Sequence, residues 1–212
     1  MGQDNNKVTL YVDVDDTILK SSEAVIEILN KKYNINPSKS INDMKDWNYR
    51  SIYKNITENE VEEIYESDEF FNTVEFDQTF LDFYKTNKDK IDIVICTKGT
   101  KTNVEKKEKL VKRVLGENIT YNGMPFKLDG DGNNIKDFRK TLINMKHGIQ
   151  IDDRTDALKD TNANMKILIH NDRVRPWNQN YENINNLYVA RNWNEVGQIV
   201  LFAYYNHFIF KK

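Results

Sequence analysis

The sequence predicts an α/β fold in which helices alternate with the strands of a parallel sheet. Two observations support this prediction. First, five short runs are rich in apolar residues, and several are apolar at consecutive positions, as in strands buried on both faces. Second, helical patterns separate most of these runs, and such alternation is typical of βαβ units. The predicted strands are residues 8–12, 91–97, 148–152, 166–170 and 187–190.

Helical segments lie between and after these strands. Residues 78–88 precede the second strand, and residues 102–116 follow it and end on Gly116, a residue that favours helix C-termini. Residues 192–208 form the last predicted helix and contain most of the chain's most apolar segment. A membrane-spanning helix needs about 20 apolar residues. This segment is shorter and contains Gln198, so we predict a helix of the core.

The first strand is followed by a long stretch that contains no convincing strand. Helical patterns occur at residues 22–33 and 58–67, with an irregular segment between them. We predict that this stretch is a small helical insertion that caps the sheet edge. The predicted domains are therefore a core of residues 1–19 and 77–212 and a cap of residues 20–76.

Composition restricts the class of protein. The 212 residues suffice for one domain with a smaller inserted module, and 39% hydrophobic residues provide a sizeable core. The net charge of −2 argues against a generic nucleic-acid coat protein. Cys96 is the single cysteine, which excludes an internal disulfide and fits a reducing compartment. Because the N-terminus is polar and resembles no signal peptide, we expect a cytoplasmic protein without a membrane partner.

Polar and acidic side chains stand at the carboxyl ends of three predicted strands. They are Asp13, Asp15 and Thr17 after the first strand, Thr97 at the end of the second, and Asp152 at the end of the third. In open α/β sheets, ligands bind in the crevice beyond these strand ends. A cluster of carboxylates needs a cation, and Mg²⁺ prefers hard oxygen ligands. A hydroxyl and free backbone amides suit a phosphate.

The spacing of Asp13 and Asp15 favours catalysis. Side chains two residues apart in an extended chain point the same way. Both carboxylates can therefore reach one reaction centre, where one attacks and the other handles a proton. The alternative is an acidic turn or a helix N-cap, since aspartate favours both. The polar residues at the other strand ends favour the catalytic interpretation.

These motifs resemble those of a known superfamily. The sequences DVDDT, ICTKGT and IQIDDRTDAL, in that order, resemble motifs I, II and IV of the haloacid dehalogenase (HAD) superfamily of phosphohydrolases. The helical insertion lies where that superfamily carries a C1 cap. Within the superfamily, ICT after a strand and IDDR are most similar to the 5′(3′)-deoxyribonucleotidase family. The resemblance implies a Rossmann-like HAD core with a small C1-type cap.

The resemblance also implies roles for individual residues. Asp13 would be the nucleophile that forms an aspartyl-phosphate, and Asp15 would protonate the leaving alkoxide and then activate water. Thr97 and the backbone amide of Lys98 would bind phosphate oxygens.

The implied cofactor is Mg²⁺. By the same resemblance, Asp13, the backbone carbonyl of Asp15 and Asp152 would hold the ion. Asp153 would orient a metal-bound water.

The superfamily further implies a lysine upstream of the acidic pair, which offsets the charge of carboxylate meeting phosphate. Lys136, Lys140 and Lys146 are the candidates. We favour Lys140, because RKTLI before the IDD strand is most similar to the family's pattern, although its interval to Asp152 departs slightly from that pattern.

The predicted function is a Mg²⁺-dependent phosphomonoesterase for (deoxy)nucleoside monophosphates. Trp47, Tyr49 and Tyr53 of the insertion either stack on a nucleobase or pack the core of the cap, and we choose Trp47 as the candidate substrate contact. The alternatives are a HAD phosphatase for another small-molecule or polynucleotide-end phosphate, and a catalytically silent HAD-like binding module. We expect no stable nucleic-acid complex, and the sequence leaves open whether the chain forms a homodimer.

Three further features are expected to have structural roles. The lysine-rich helix 101–113 predicts a solvated face, with electrostatic guidance of an anionic substrate as the alternative. The loop around Asp129 and Asp131 departs from a calcium-binding loop at the position where a glutamate is required, so we predict a polar loop. Asp156 is expected to lie in the first turn of a helix.

Overall fold

The computed structural model describes residues 7–170, 175–178 and 181–205. Six of its strands form one parallel sheet in the order β3-β2-β1-β6-β7-β8, which confirms the predicted α/β fold. In chain order the strands are β1 (Val8–Val12), β2 (Ile91–Gly99), β3 (Thr120–Pro125), β4 (Lys127–Leu128), β5 (Asn134–Ile135), β6 (Ile149–Asp152), β7 (Met165–Ile169) and β8 (Leu187–Ala190).

The described helices are α1 (Ser21–Lys32), α2 (Glu58–Glu66), α3 (Asp68–Thr73), α4 (Gln78–Asn87), α5 (Lys101–Leu115), α6 (Thr155–Lys159) and α7 (Trp193–Tyr205). Short 3₁₀ helices occur at Ile41–Asp43, Tyr49–Ser51 and Tyr181–Asn183. In the part of the chain that the structure describes, no helix is long and apolar enough to cross a membrane. The last residues of the predicted helix 192–208 lie outside the described residues.

All five predicted strands are confirmed, with ends that differ by at most two residues. Strand β3 was not predicted; it is an edge strand whose side chains are half-buried or exposed. It contains Gly123 and ends on Pro125, and both residue types are depleted in strands. A Cβ atom at Gly123 would lie 2.2 Å from the Val104 side chain, so glycine allows α5 to pack closely on this edge.

The buried core surrounds the central strand β1, in which Val8, Leu10 and Val12 are all buried. Helices α4 and α7 pack together through aromatic side chains. The ring of Trp193 lies 4.9 Å from that of Phe80, edge to face, a favourable aromatic geometry. This packing fixes the framework that carries the strand ends.

The helical insertion leaves and rejoins the core through two adjacent segments. Leu19 forms an isolated antiparallel bridge with Phe76, and the Lys20 amide donates a hydrogen bond to the Glu75 carbonyl at 2.9 Å. Between these points, α1, α2 and α3 share their own cluster of buried apolar side chains, separate from the cluster around the sheet. This organisation is consistent with the predicted cap, whose exact boundaries stay a prediction.

The aromatic residues of the insertion divide into two groups. Tyr49 and Tyr53 are buried members of the insertion's apolar cluster, which favours packing over base stacking for both. Trp47 is 43% exposed and lines a cavity that faces the sheet. Tyr49 also lines this cavity but is buried, so Trp47 offers a ligand the largest exposed ring of the three.

Candidate active site

The parallel sheet brings three strand ends together. Strand β1 lies between β2 and β6, with Val12 opposite Ile95 on one side and Ile151 on the other. Because the strands are parallel, the residues that follow them lie at one edge of the sheet. The Asp13 amide donates to the Ile151 carbonyl at 3.0 Å, which fixes Asp13 beside Asp152.

Three carboxylates form a compact cluster at this edge. One oxygen each from Asp13, Asp152 and Asp153 lie within 4.8 Å of one another. Asp13 and Asp152 are buried. Burial raises the pKa of Asp13 to about 7, although the Lys140 ammonium acts in the opposite direction. Burial likewise raises the pKa of Asp153 well above its usual value, so the cluster favours any nearby positive charge.

Lys140 supplies a positive charge inside the cluster. Its buried Nζ lies 2.8 Å from Asp13 Oδ1 and 2.5 Å from Asp152 Oδ2. Burial opposes the charge of Lys140, but the two carboxylates outweigh burial and hold its pKa above the usual value. Of the other candidate lysines, Lys136 pairs with glutamates of α2, and Lys146 is exposed. The structure thus brings Lys140, rather than its two neighbours, to the carboxylates.

The same cluster has a donor set that suits a magnesium ion. Mg²⁺ binds oxygen at 2.0–2.1 Å, so two ligands on opposite sides of the ion lie about 4 Å apart. The ligand oxygens of Asp13, Asp152 and Asp153 lie no more than 4.8 Å apart, which is close to that span. Carboxylates are hard ligands of the kind Mg²⁺ prefers. The residues present therefore fit one divalent cation.

Asp15 lies next to the cluster with both carboxylate oxygens engaged. Its Oδ1 accepts a hydrogen bond from Ser21 Oγ at 2.7 Å, and its Oδ2 accepts one from Lys107 Nζ. The Asp15 side chain is 29% exposed, so it remains accessible from the crevice. Asp16, unlike Asp15, has a structural role. With φ at 51° it turns the chain, and it accepts a hydrogen bond from the Ser22 amide at 2.8 Å in the first turn of α1.

The predicted solvated face of the lysine-rich helix is wrong for Lys107. This side chain is only 1% exposed and reaches Asp15 across 92 positions of sequence. The helical period contains a signal for this burial, because Lys107 lies three residues from both Val104 and Leu110, which are buried. Composition alone does not distinguish Lys107 from the other lysines of this helix, which are less buried.

Thr97 and Lys98 follow from the adjacent strand β2. Thr97 is fully buried, and its hydroxyl has no hydrogen-bond partner among the described residues. Buried hydroxyls are normally paired, so this one is suited to a ligand oxygen. Lys98 also lines the cavity, and its Nζ donates to the Arg139 carbonyl at 3.1 Å. Burial lowers the pKa of the Lys98 ammonium.

A cavity of about 170 Å³ lies between the carboxylates and the insertion. Its walls include Trp47 from the insertion. They also include Phe126 and Phe138 from the segment before Lys140, residues 126–139. The Trp47 and Phe138 rings are 5.9 Å apart, and the Arg154 guanidinium lies 5.2 Å from the Trp47 ring and 4.3 Å from the Phe138 ring. Phe126 and Phe138 were not predicted as part of the site, because no periodic pattern marks their segment, and Arg154 entered the prediction only as a letter of the IDDR motif.

Polar contacts tie this segment to the insertion. Lys136 Nζ lies 3.2 Å from Glu58 Oε2 and 3.0 Å from Glu62 Oε1, and Asn134 Nδ2 donates to Glu62 at 2.8 Å. Further along the segment, Asp129 accepts hydrogen bonds from backbone amides of its own loop, as expected for a polar turn. The cavity is therefore bounded by both the insertion and this segment.

Asp156 lies in the first turn of α6, as expected, and forms an ion pair with Arg154. This pair orients the guanidinium that covers Trp47 and Phe138.

Comparison with solved structures shows that the fold of this chain is similar to that of HAD-superfamily hydrolases. A predicted phosphatase from Clostridium acetobutylicum has a TM-score of 0.61 and 14% identity, over 92% of this chain and 99% of that chain. A HAD family hydrolase from Deinococcus radiodurans, with bound phosphate and sodium, has a TM-score of 0.57 and 9% identity, over 99% and 100%. The HAD-hydrolase YfnB of Bacillus subtilis, bound to magnesium, has a TM-score of 0.54 and 20% identity, over 92% and 98%.

These similarities concern the fold. No protein-family model matches the chain, and no curated protein matches it by sequence. The similar structures agree with the HAD resemblance of the three motifs, and they give no support to the narrower 5′(3′)-deoxyribonucleotidase family.

Proposed function

We propose that the protein is a Mg²⁺-dependent phosphomonoester hydrolase that acts through an aspartyl-phosphate on Asp13. The observation that carries this proposal is the cluster of buried Asp13, buried Asp152 and half-buried Asp153, with Lys140 in contact with Asp13 and Asp152. A phosphate-bound and a magnesium-bound HAD hydrolase of the same fold support it. A catalytically silent module has no need of three buried ionisable groups, Asp13, Lys140 and Asp152, which are costly unless they act on a ligand.

The reaction has two balanced steps. In the first, a carboxylate oxygen of Asp13 forms a bond to phosphorus while the ester P–O bond breaks, and the leaving oxygen takes the proton that Asp15 carries in its acid form. In the second, a water oxygen bonds to phosphorus and gives a proton to Asp15, while the bond between Asp13 and phosphorus breaks. The products are the alcohol and inorganic phosphate, and both aspartates return to their first state.

The remaining residues hold and neutralise the phosphate. Asp13, Asp152 and Asp153 would hold Mg²⁺, which when bound reduces the repulsion between the attacking carboxylate and the anionic phosphate. Lys140 contributes a second positive charge at the same point. The unpaired Thr97 hydroxyl donates to a phosphate oxygen, together with the backbone amide of Lys98.

The finer proposal is a (deoxy)nucleoside monophosphate as substrate. The aromatic side chains of Trp47, Phe126 and Phe138 in the cavity wall support it, since a nucleobase stacks on such surfaces. The phosphate contacts alone carry no information about the rest of the molecule, so the choice of ester depends on this wall. Another small phosphomonoester is the alternative, and it would use the wall as an apolar surface only.

A panel of phosphorylated compounds, assayed with and without Mg²⁺, tests the proposal. We expect hydrolysis with Mg²⁺, loss of hydrolysis in excess chelator, and near-background turnover by Asp13→Asn. The variant keeps the shape of the side chain but removes the attacking charge, and circular dichroism should show an unchanged fold. Substantial turnover by purified Asp13→Asn would refute covalent catalysis by Asp13, and turnover in excess chelator would refute the metal dependence.

A further inference from the structure

Lys107 is a buried charged residue that has no role in the proposed reaction steps. It belongs to the buried stripe of α5 and is only 1% exposed, although lysine is almost never fully buried unless it is paired. Desolvation of an ammonium costs several kcal/mol, and apolar residues of similar volume commonly replace buried ion pairs without loss of stability. Packing therefore does not explain a lysine at this position.

The partner of Lys107 is the proposed general acid and base. Lys107 Nζ donates to Oδ2 of Asp15, while Ser21 Oγ donates to Oδ1 at 2.7 Å. These two donors come from different parts of the chain and hold the two oxygens of one carboxylate. One hydrogen bond to each oxygen fixes the rotation of the Asp15 carboxylate about its Cβ–Cγ bond. The lone pairs of these oxygens therefore keep one direction relative to the crevice.

The insertion completes the surroundings of Lys107. The Nζ lies 5.8 Å from the centre of the Tyr65 ring at the end of α2, within the range of a cation–π contact. One turn earlier on α5, Asn103 Nδ2 donates to the Tyr65 carbonyl at 2.7 Å. The helix that carries Lys107 is thus anchored on the insertion beside the cavity.

We propose that Lys107 is a positioning residue, which together with Ser21 holds Asp15 in the orientation needed to pass a proton to and from the reacting oxygen. This inference rests on the proposed phosphatase function. Lys107 also lines the cavity, but its side chain is only 1% exposed and its Nζ is bonded to Asp15, so it acts through Asp15. The proton moves from Asp15 to the leaving oxygen as the ester P–O bond breaks, so misorientation of Asp15 affects esters whose leaving group needs that proton.

Lys107→Met, assayed on two leaving groups, tests the inference. The constant kcat/KM covers the steps up to phosphoenzyme formation. For an alkyl phosphate we expect kcat/KM to fall about tenfold to a hundredfold, a part of the 10²–10⁴-fold that general acid–base catalysis contributes. For p-nitrophenyl phosphate, whose leaving group needs little protonation, we expect a loss below about threefold. The melting temperature should change little, because Asp15 keeps its Ser21 bond and its access to water.

Three further variants sharpen the test. Lys106→Met is the matched control: Lys106 contacts the Glu66 carbonyl and Asp68 on the insertion, without a contact to Asp15, so both substrates should change alike. Lys107→Arg should restore part of the selective loss, because it keeps the charge. Ser21→Ala removes the other bond to Asp15 and should reproduce the selective loss, even if Lys107→Met does not fold.

The outcomes separate the two proposals. The proposed function is tested first, and it is supported if the wild-type protein hydrolyses the substrate and Asp13→Asn does not. Given that result, an equal loss on both substrates, or no loss on either, in Lys107→Met and Ser21→Ala overturns the positioning role and leaves the phosphatase proposal intact. A wild-type protein without hydrolysis that depends on Asp13 overturns both.

Discussion

Lys140 balances the charge of the carboxylate cluster. Its Nζ contacts both Asp13 and Asp152, and all three side chains are buried. Removing one partner of a buried ion pair leaves an uncompensated charge and typically costs about 3–5 kcal/mol. Lys140 is therefore expected to affect both stability and turnover, whereas a surface lysine affects neither.

Lys140→Met should lower kcat/KM by at least about a hundredfold, because the charge that offsets carboxylate and phosphate is lost at a preorganised site. In excess chelator, the variant should also show a lower free energy of unfolding, since Asp13 and Asp152 are then left without a counter-charge. Steady-state kinetics and urea denaturation measure the two effects.

The two other candidate lysines are matched controls for this experiment. Lys146→Met removes an exposed charge and should leave stability within about 0.5 kcal/mol and turnover unchanged. Lys136→Met should affect KM more than kcat, because Lys136 contacts the insertion and lines the cavity. If Lys140→Met behaves like Lys146→Met, the assigned lysine is wrong.

At this scale, the positions of site residues were most predictable where residue type and strand end coincide, while the roles of these residues stay predictions. Asp13, Asp152 and Thr97 follow apolar runs, and the sheet brings those runs together. Lys107 could not be predicted in the same way, because its helical spacing from Val104 and Leu110 indicates burial but does not indicate its partner. Its partner Asp15 lies 92 positions away, and only the packing of α5 on the strand ends brings the two into contact.

At the scale of elements, strands with an apolar run were predictable, including the edge strand β8, and strands without such a run were not. Strands β6 and β7 are buried along their length, and β1 has buried residues at every second position, so each shows a run rich in apolar residues. The edge strand β3 and the two-residue strands β4 and β5 are largely exposed and have no such run. Phe126 and Phe138 lie next to these short strands, so the cavity wall they form was missed along with them.

The insertion supplies the other part of this wall, and Trp47→Ala tests its contribution. Base–aromatic stacking is worth about 1–3 kcal/mol per base. We therefore expect kcat/KM for a nucleoside monophosphate to fall roughly five- to a hundredfold. A small alkyl phosphate has no ring to stack and should lose little. The ratio of the two losses is the measured quantity.

Tyr33→Ala is the control for this variant. Tyr33 is an aromatic residue of the insertion that is 36% exposed, and it does not line the cavity. The Tyr33→Ala variant should therefore keep the wild-type kcat/KM for both substrates. Equal losses on both substrates in Trp47→Ala would mean that Trp47 only holds the insertion together, and no loss on either would remove it from the site.

At the scale of the whole molecule, the fold concentrates negative charge that the sequence distributes widely. Asp13 and Asp152 are 139 positions apart, yet the strand order places β6 beside β1. The rule that ligands bind at the carboxyl ends of parallel strands made the shared edge predictable. The order of the strands depends on pairings that local sequence does not encode, and it came from the structure alone.

This concentration of charge predicts that Mg²⁺ stabilises the whole chain. A ligand that binds only the folded state adds RT ln(1 + [L]/Kd), or about 2.7 kcal/mol at a hundredfold excess over Kd. For a chain of about 150–250 residues, 1 kcal/mol shifts the melting temperature by about 2–4 °C. We therefore expect saturating Mg²⁺ to raise it by about 5–10 °C at matched ionic strength. Differential scanning fluorimetry measures the shift.

The same measurement on two conservative variants assigns the stabilisation to the carboxylate cluster. Asp152→Asn removes one proposed ligand while it keeps the shape of a buried side chain, so the Mg²⁺-dependent shift should largely disappear. Asp156→Asn removes an acid that pairs with Arg154 outside the cluster and should keep the full shift. An equal shift in both variants would place the stabilising ion away from Asp152. A wild-type protein that needs Mg²⁺ for turnover but shows no shift would mean that the ion arrives with the substrate, because the cluster alone then binds it too weakly to stabilise the fold.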